Sequence, residues 1–161
     1  MERRFESSWI QGYVVDIGPK WFLFNLVTDR IHFDGFECFR LEDIQRVRPA
    51  PYAKFVETAL QKRNEERPPR PAVNLEDIDR LLLTAGRAFP LVAVHLEEVK
   101  RGACWIGKVQ SIKRPNLLLL EINPDATWDE EPREHSIDDI TRVNFGGEYE
   151  NALYLVGGEP G

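Results

Sequence analysis

The sequence has little of what catalytic and metal-binding chains are usually built on. Two cysteines, one methionine and three histidines are spread over 161 residues. Cys38 and Cys104 lie far apart, so they are expected to be reduced thiols of a cytoplasmic protein, not a disulfide. His32, His95 and His135 stand apart from one another and from the cysteines. A metal site needs a cluster of ligands, so they read as ordinary surface or edge histidines. No phosphate-binding glycine-rich loop, nucleophile elbow or zinc-protease helix is present. No run reaches the roughly 18 apolar residues of a membrane span. The opening MERRFESSWI has two arginines but no apolar segment behind them, which argues against a secretory signal. Basic charge is short as well: the net charge is −6, with 10 Lys/Arg against 9 Asp/Glu in residues 1–64 and 11 against 18 in residues 65–161. Nucleic-acid binders usually carry a basic stripe that releases counterions from phosphates. The second half has the wrong sign for that, and only the first half leaves room for a local basic patch. No cofactor is implied, and the absences together point away from an enzyme.

What the chain does have is a stretch written twice. Gly12–Val27, GYVVDIGPKWFLFNLV, returns as Gly107–Ile122, GKVQSIKRPNLLLLEI, 95 residues later. A second match, Leu41–Val47 against Ile137–Val143, is shifted by 96. The pattern predicts a mainly β protein with flanking helices (α+β), made of two small barrels from an internal duplication. Residues 1–64 form the first barrel with its C-terminal helix, residues 65–74 a proline-rich linker, and residues 75–161 a helix, the second barrel and a closing helix. A unit of about 40 to 50 residues buries too little surface to be stable alone, so the two copies should pack on one another or under the helices.

The individual elements follow from local chemistry. β-Branched Val14, Val15 and Ile17 mark a strand. Gly12 within it, repeated at 107, marks a bend or a close backbone approach. Trp21–Thr28 is too continuously apolar for a sheet with one wet face, so it reads as a strand covered on both sides. Asp34-Gly35 is a kink, or the tip of a hairpin that would divide Ile31–Leu41 into two arms. A helix is expected over Tyr52–Arg63, with Phe55, Val56, Ala59 and Leu60 on its apolar side. A second is expected over Leu75–Ala85, capped by Asn74 and ended by Gly86. Phe89–Leu96, Ala103–Ile112 and Leu117–Ile122 are strands, Asn123–Glu134 is a polar loop, Glu148–Val156 is a short helix, and Gly157–Gly161 is a frayed tail.

Asp139–Leu153, DITRVNFGGEYENAL, together with Cys104-Trp105-Ile106-Gly107, resembles an uncharacterised bacterial family of tandem small β-barrels of the Sm-like or SH3-like kind. The resemblance carries no activity. An Sm-like fold would imply RNA binding, here through Arg46, Arg48, Lys54, Lys62 and Arg63 of the first copy. The sequence departs from that pattern, having neither the paired Asp/Asn loop nor the Arg-Gly loop. The acidic loop 125–134, with Asp125, Asp129, Glu130, Glu131 and Glu134, is the one place where an enzyme could find carboxylates, but it reads as a solvated loop. Gly146-Gly147-Glu148 could offer backbone N–H groups to an anion, yet Glu148 and Glu150 would repel one. Aromatic residues are in surplus. Trp21, Phe33, Phe36 and Trp128 are the candidate partner-contact residues, Trp128 because it sits in a polar loop. The expected function is a non-enzymatic interaction module that binds a protein partner or itself.

Overall fold

The computed structural model describes residues 1–161. The chain is mainly antiparallel β with three helices. Its elements are β1 (Glu2–Arg3), β2 (Gly12–Ile17), β3 (Trp21–Val27), β4 (Phe33–Arg40), β5 (Ile44–Arg46), α1 (Ala53–Lys62), α2 (Ile78–Ala88), β6 (Val92–His95), β7 (Trp105–Lys113), β8 (Asn116–Glu121), β9 (Arg133–Ser136), β10 (Arg142–Phe145) and α3 (Glu148–Gly157). No helix is long and apolar enough to cross a membrane.

Instead of two closed barrels, the strands form one open eight-stranded sheet, ordered β2-β3-β4-β10-β6-β7-β8-β9, and a two-stranded sheet of β1 and β5. The physical reason lies at the seam. The free edge of β4 is taken by β10, with Phe36 opposite Phe145, Glu37 opposite Asn144, Cys38 opposite Val143 and Phe39 opposite Arg142. An edge strand that finds a partner in the other half has no need to close on its own. Phe36 and Phe145 stack with ring centroids 6.0 Å apart, and Phe89 lies 4.8 Å from Phe145. Arg142 donates to the buried Glu37 and to Glu6 across the same seam. Arg3, fully buried, pairs with Glu97 and donates to the Thr141 carbonyl, while Thr141 Oγ1 donates to Glu97 at 2.7 Å.

The two repeated stretches form hairpins with the same pairing. Gly12 lies opposite Leu26, Val14 opposite Phe24, Asp16 opposite Leu23 and Ile17 opposite Phe22. Gly107 lies opposite Glu121, Val109 opposite Leu119, Ser111 opposite Leu118 and Ile112 opposite Leu117. Each hairpin slips register at the same place, between Val14 and Asp16 and between Val109 and Ser111. Both glycines are required by close approach: a Cβ on Gly12 would stand 2.2 Å from the Asn25 carbonyl oxygen, and one on Gly107 would stand 2.1 Å from that of Leu120. A single turn of 3-10 helix follows β4 at Leu41–Asp43 and follows β9 at Ile137–Asp139.

β3 is covered on both faces, as its continuous apolar run requires. Trp21 and Leu23 enter the main core, while Phe22 and Phe24 form a smaller cluster with Phe39. The main core also takes Leu81, Leu82 and Ala85 from α2, Leu117 and Leu119 from β8, and Ile137, Ile140 and Val143. Burying two leucines such as Leu81 and Leu82 contributes roughly 1.5–3 kcal/mol each before entropy.

One local reading is resolved and another changes. β4 has the kink expected at Asp34-Gly35, where its pairing with β3 slips register, but it is not divided into two hairpin arms, because these residues dock on the start of α3. Gly35 has φ +70°, a Cβ there would stand 2.5 Å from the Gly147 nitrogen, and Asp34 Oδ1 accepts from Glu148 N at 2.8 Å. α2 begins later than its sequence suggests. Asp77 is the cap, accepting from Arg80 N, while Asn74 makes a local turn by accepting from Glu76 N. Gly86 lies inside α2 and does not end it. Its missing Cβ makes room for β7, since a Cβ there would come within 2.7 Å of the Val109 Cβ.

Candidate functional site

The candidate partner-contact residues do not come together. Trp21 and Phe36 are buried in the main core, where they pack on this chain's own residues and offer no surface. Phe33 is half-buried beneath α1, beside Val27, Val56 and Leu60, with its ring centroid 6.2 Å from that of Tyr13. Trp128 folds back. It packs with Leu91, Ile122 and Leu153, and its Nε1 donates to the Gly158 carbonyl at 3.2 Å. The tail is tied down as well, for Glu159 accepts from both Lys108 Nζ and Tyr154 OH at 2.6 Å.

The other candidate groups are engaged locally. In the acidic loop Asp125 accepts from Thr127, Asn123 donates to Asp129, and Arg133 lies 3.3 Å from Asp129. His32 meets Glu65 at 2.6 Å and His135 meets Glu121 at 2.7 Å. His95 is half-buried beside Asn144, and its desolvation together with the nearby Arg142 charge pushes its pKa down to about 3. No group of three or more His, Cys, Asp or Glu side chains is arranged to hold a metal ion. Both thiols are free, Cys104 exposed and Cys38 buried, and burial pushes the Cys38 thiol up. Of the basic residues, Arg63 donates to the carbonyls of Arg30 and Ile31, Arg46 faces Glu2 at 3.7 Å, and Arg48 lies over Trp9 with its guanidinium carbon 3.8 Å from the ring centroid.

What the structure does bring together is an apolar groove of about 340 Å³ in the first half. Phe22 and Phe24 form its floor, with Phe39 behind them. β2 contributes Val14 and Ile17; the turn after β4, β5 and the residue after β5 contribute Leu41, Ile44 and Val47; Trp9 and Arg48 stand at its rim. Arg48 is the one charged side chain in the lining. Val14 is 51%, Ile17 64% and Val47 69% exposed. Aliphatic side chains that exposed, lining one groove between β2 and the segment after β5, form a patch of the kind that marks a contact surface.

The second half supplies the contrast. The residues 95 or 96 positions further on are Val109, Ile112 and Val143, and all three pack into or against the main core. α2 lies on β7 there, with Gly86 against Val109, and Leu81 and Leu82 join Leu117, Leu119, Ile137 and Ile140. No helix of this chain takes the corresponding place over Val14 and Ile17.

Composition alone did not single out the groove, because Val14, Ile17 and Val47 read as core residues by type. One signal was present: a helix stands shortly before the second repeated stretch, and none precedes the first within these residues. Comparisons of the chain with protein-family models, with curated proteins and with solved structures find no match.

Proposed function

We propose that the chain is a non-enzymatic, cytoplasmic interaction module that holds an amphipathic helix of a protein partner in the groove of its first half. The reading treats the halves as copies of one Sm-like or SH3-like unit, which the matching register of the two hairpins and the matching 3-10 turns support. One observation carries it: α2 lies over the face of the second half, while the corresponding face of the first half, with Val14, Ile17 and Val47, is open. A helix with aliphatic residues at i, i+3, i+4 and i+7 matches such a groove. Its apolar area, at about 25 cal/mol per Å² removed from water, is the driving term. Two free thiols suit a reducing compartment. The first-half arginines that an RNA strand would need are dispersed, and the groove itself holds only Arg48.

The test is selection of a displayed library of short amphipathic helices on the full chain. Binders are expected that lose at least about tenfold in affinity, roughly 1.4 kcal/mol, against Val14→Asp/Ile17→Asp. A library that yields no binder sensitive to that double substitution would remove the reading.

A further inference from the structure

The partner helix has chemistry that this chain itself displays. α3 docks on its own half through Leu153, buried with Leu91 and Ile122. The stripe adjoining Leu153 faces solvent: Tyr149 is 55%, Leu155 85% and Val156 76% exposed, with Ala152 exposed between them. At 100° per residue these four fall within one stripe of about 120°, the width of a core-facing helix surface, and exposed Glu148 is the one charged residue on it, at the N-terminal end. A helix whose outer stripe is apolar is unpartnered in the single chain.

Length and charge agree with the groove. α2, which covers the corresponding face of the second half, is 11 residues long, and α3 is 10. α3 carries Glu148 on this face and no basic residue, Glu150 being turned toward Gly147 of its own chain, while the one charged side chain lining the groove is Arg48. α1 and its N-cap also expose aromatics, Phe55 and Tyr52, but the helix carries Lys54 and Lys62 against the single Glu57, a net positive sign that does not suit a groove rimmed by arginine.

We infer that the groove between β2, β3 and residues 41–51 receives α3 of a second copy of the chain, an inference that rests on the groove being a helix-binding site. The contact is heterologous: one copy presents the groove and the other presents Tyr149, Leu155 and Val156.

Light scattering over a concentration series of the full chain tests it. The wild-type mass is expected to rise above that of one chain. Val14→Asp/Ile17→Asp and Leu155→Glu/Val156→Glu are each expected to stay single, because each loses one of the two surfaces. Mixing the two variants is the decisive arm. One retains α3 and the other retains the groove, so a two-chain species is expected to reappear. Should the β2 pair fail to fold, Val47→Asp interrupts the same groove from beyond the end of β5. A wild-type mass that stays at one chain up to about 1 mM overturns the inference, as does undiminished association of Leu155→Glu/Val156→Glu. The library selection separates the two failures. Groove-sensitive binders with a single-chain wild type remove the second copy as occupant and leave the helix-binding reading standing. No such binders and no self-association remove both.

Discussion

The two halves pair their strands alike and cover them differently. Gly12 and Gly107 admit the same close carbonyl, the hairpins slip register at the same step, and the same short turn leads into β5 and into β10. Yet Val143 is fully buried where Val47 is 69% exposed. Strand pairing is local, written in the alternation and in the glycines. Exposure depends on what lies across the face, and in the second half that is α2. The same residue type at the same place in the stretch is therefore structural in one half and available for contact in the other.

The sharpest way to break this comparison is one substitution made twice. Val143→Asp places an unpaired carboxylate in the main core, and a cost on the order of 4 kcal/mol or more is expected in urea unfolding. Val47→Asp puts the same group into the open groove, and a change within about 0.5 kcal/mol is expected. Equal costs would mean that Val47 is covered in solution by something on the same chain.

A second pair contrasts neighbours at the seam. Glu97 and Glu98 adjoin in sequence, but Glu97 is buried against Arg3 while Glu98 meets Arg4 and Arg40 in the open. Burial opposes ionisation of Glu97, but hydrogen bonds from Arg3 and Thr141 outweigh it and hold the carboxyl below its usual range. Glu97→Ala removes the main counter-charge of the buried Arg3 guanidinium, leaving it the Thr141 carbonyl and the Glu6 carboxylate at 3.5 Å, and a cost of up to about 3–5 kcal/mol is expected. Glu98→Ala is expected to leave the unfolding midpoint where it is, as for an exposed pair. The measurement is the urea midpoint of each variant.

Much of this organisation is legible in the sequence, and the illegible part has a common cause. The repeated hairpins, the need for glycine at 12 and 107, and the double cover of Trp21–Val27 follow from local patterns. The seam does not, because pairing of β4 with β10 joins residues about a hundred positions apart and leaves no short-range mark. Asp34-Gly35 resembles a hairpin tip for that reason; its turn chemistry serves contact with Gly147 and Glu148. Asn74 and Asp77 are both good caps by type, and only the packing of α2 on β7 selects Asp77. Trp21 and Phe36 drew attention as surplus aromatics because a core spanning both halves can hold more of them than one small barrel.

Smaller in size is a pH effect confined to the seam. His95 is kept neutral in the fold with a pKa of about 3, by desolvation and then by Arg142, against an ordinary value of 6.5. The unfolded chain therefore binds a proton that the folded chain refuses between those values. Stability is complete above pH 6.5 and is lost progressively as the pH falls toward 3, by about 2 kcal/mol between pH 7 and pH 5 from this residue alone. Glu37 shares the neighbourhood with the opposite sign: burial raises its carboxyl, so its ionisation opposes folding as the pH rises above the unfolded value near 4. His95→Asn is expected to flatten the unfolding free energy between pH 7 and pH 5. A slope that survives the substitution would place the titrating group elsewhere.

The smallest expected effect concerns residues 46–49 and β9, the counterparts of the two seam strands, where the seam could in principle be repeated between chains. Applying the 96-residue shift to the β4–β10 register would set residues 46–49 of one chain against β9 of another. Arg48 would then face Arg133, and Pro49 would face Pro132, where the seam has Asn144 facing Glu37 and Phe145 facing Phe36. Proline lacks the N–H that a ladder requires, and like charges directly opposite repel. Both are ways of blunting an edge strand. Repetition of the seam between chains is thus closed while the groove stays open, so self-association should respond to the groove and α3 and not to residues 46–49 against β9. Pro49→Phe/Pro132→Phe/Arg133→Glu, made on the Val14→Asp/Ile17→Asp background, restores the Phe–Phe pair and places a glutamate opposite Arg48 in place of an arginine. It is expected to produce a modest, concentration-dependent rise in mass by light scattering that the background alone lacks. If the background already assembles and the edge substitutions leave it unchanged, pairing at the edges was not being held back by these residues, and the difference between seam and edge lies in strand length instead.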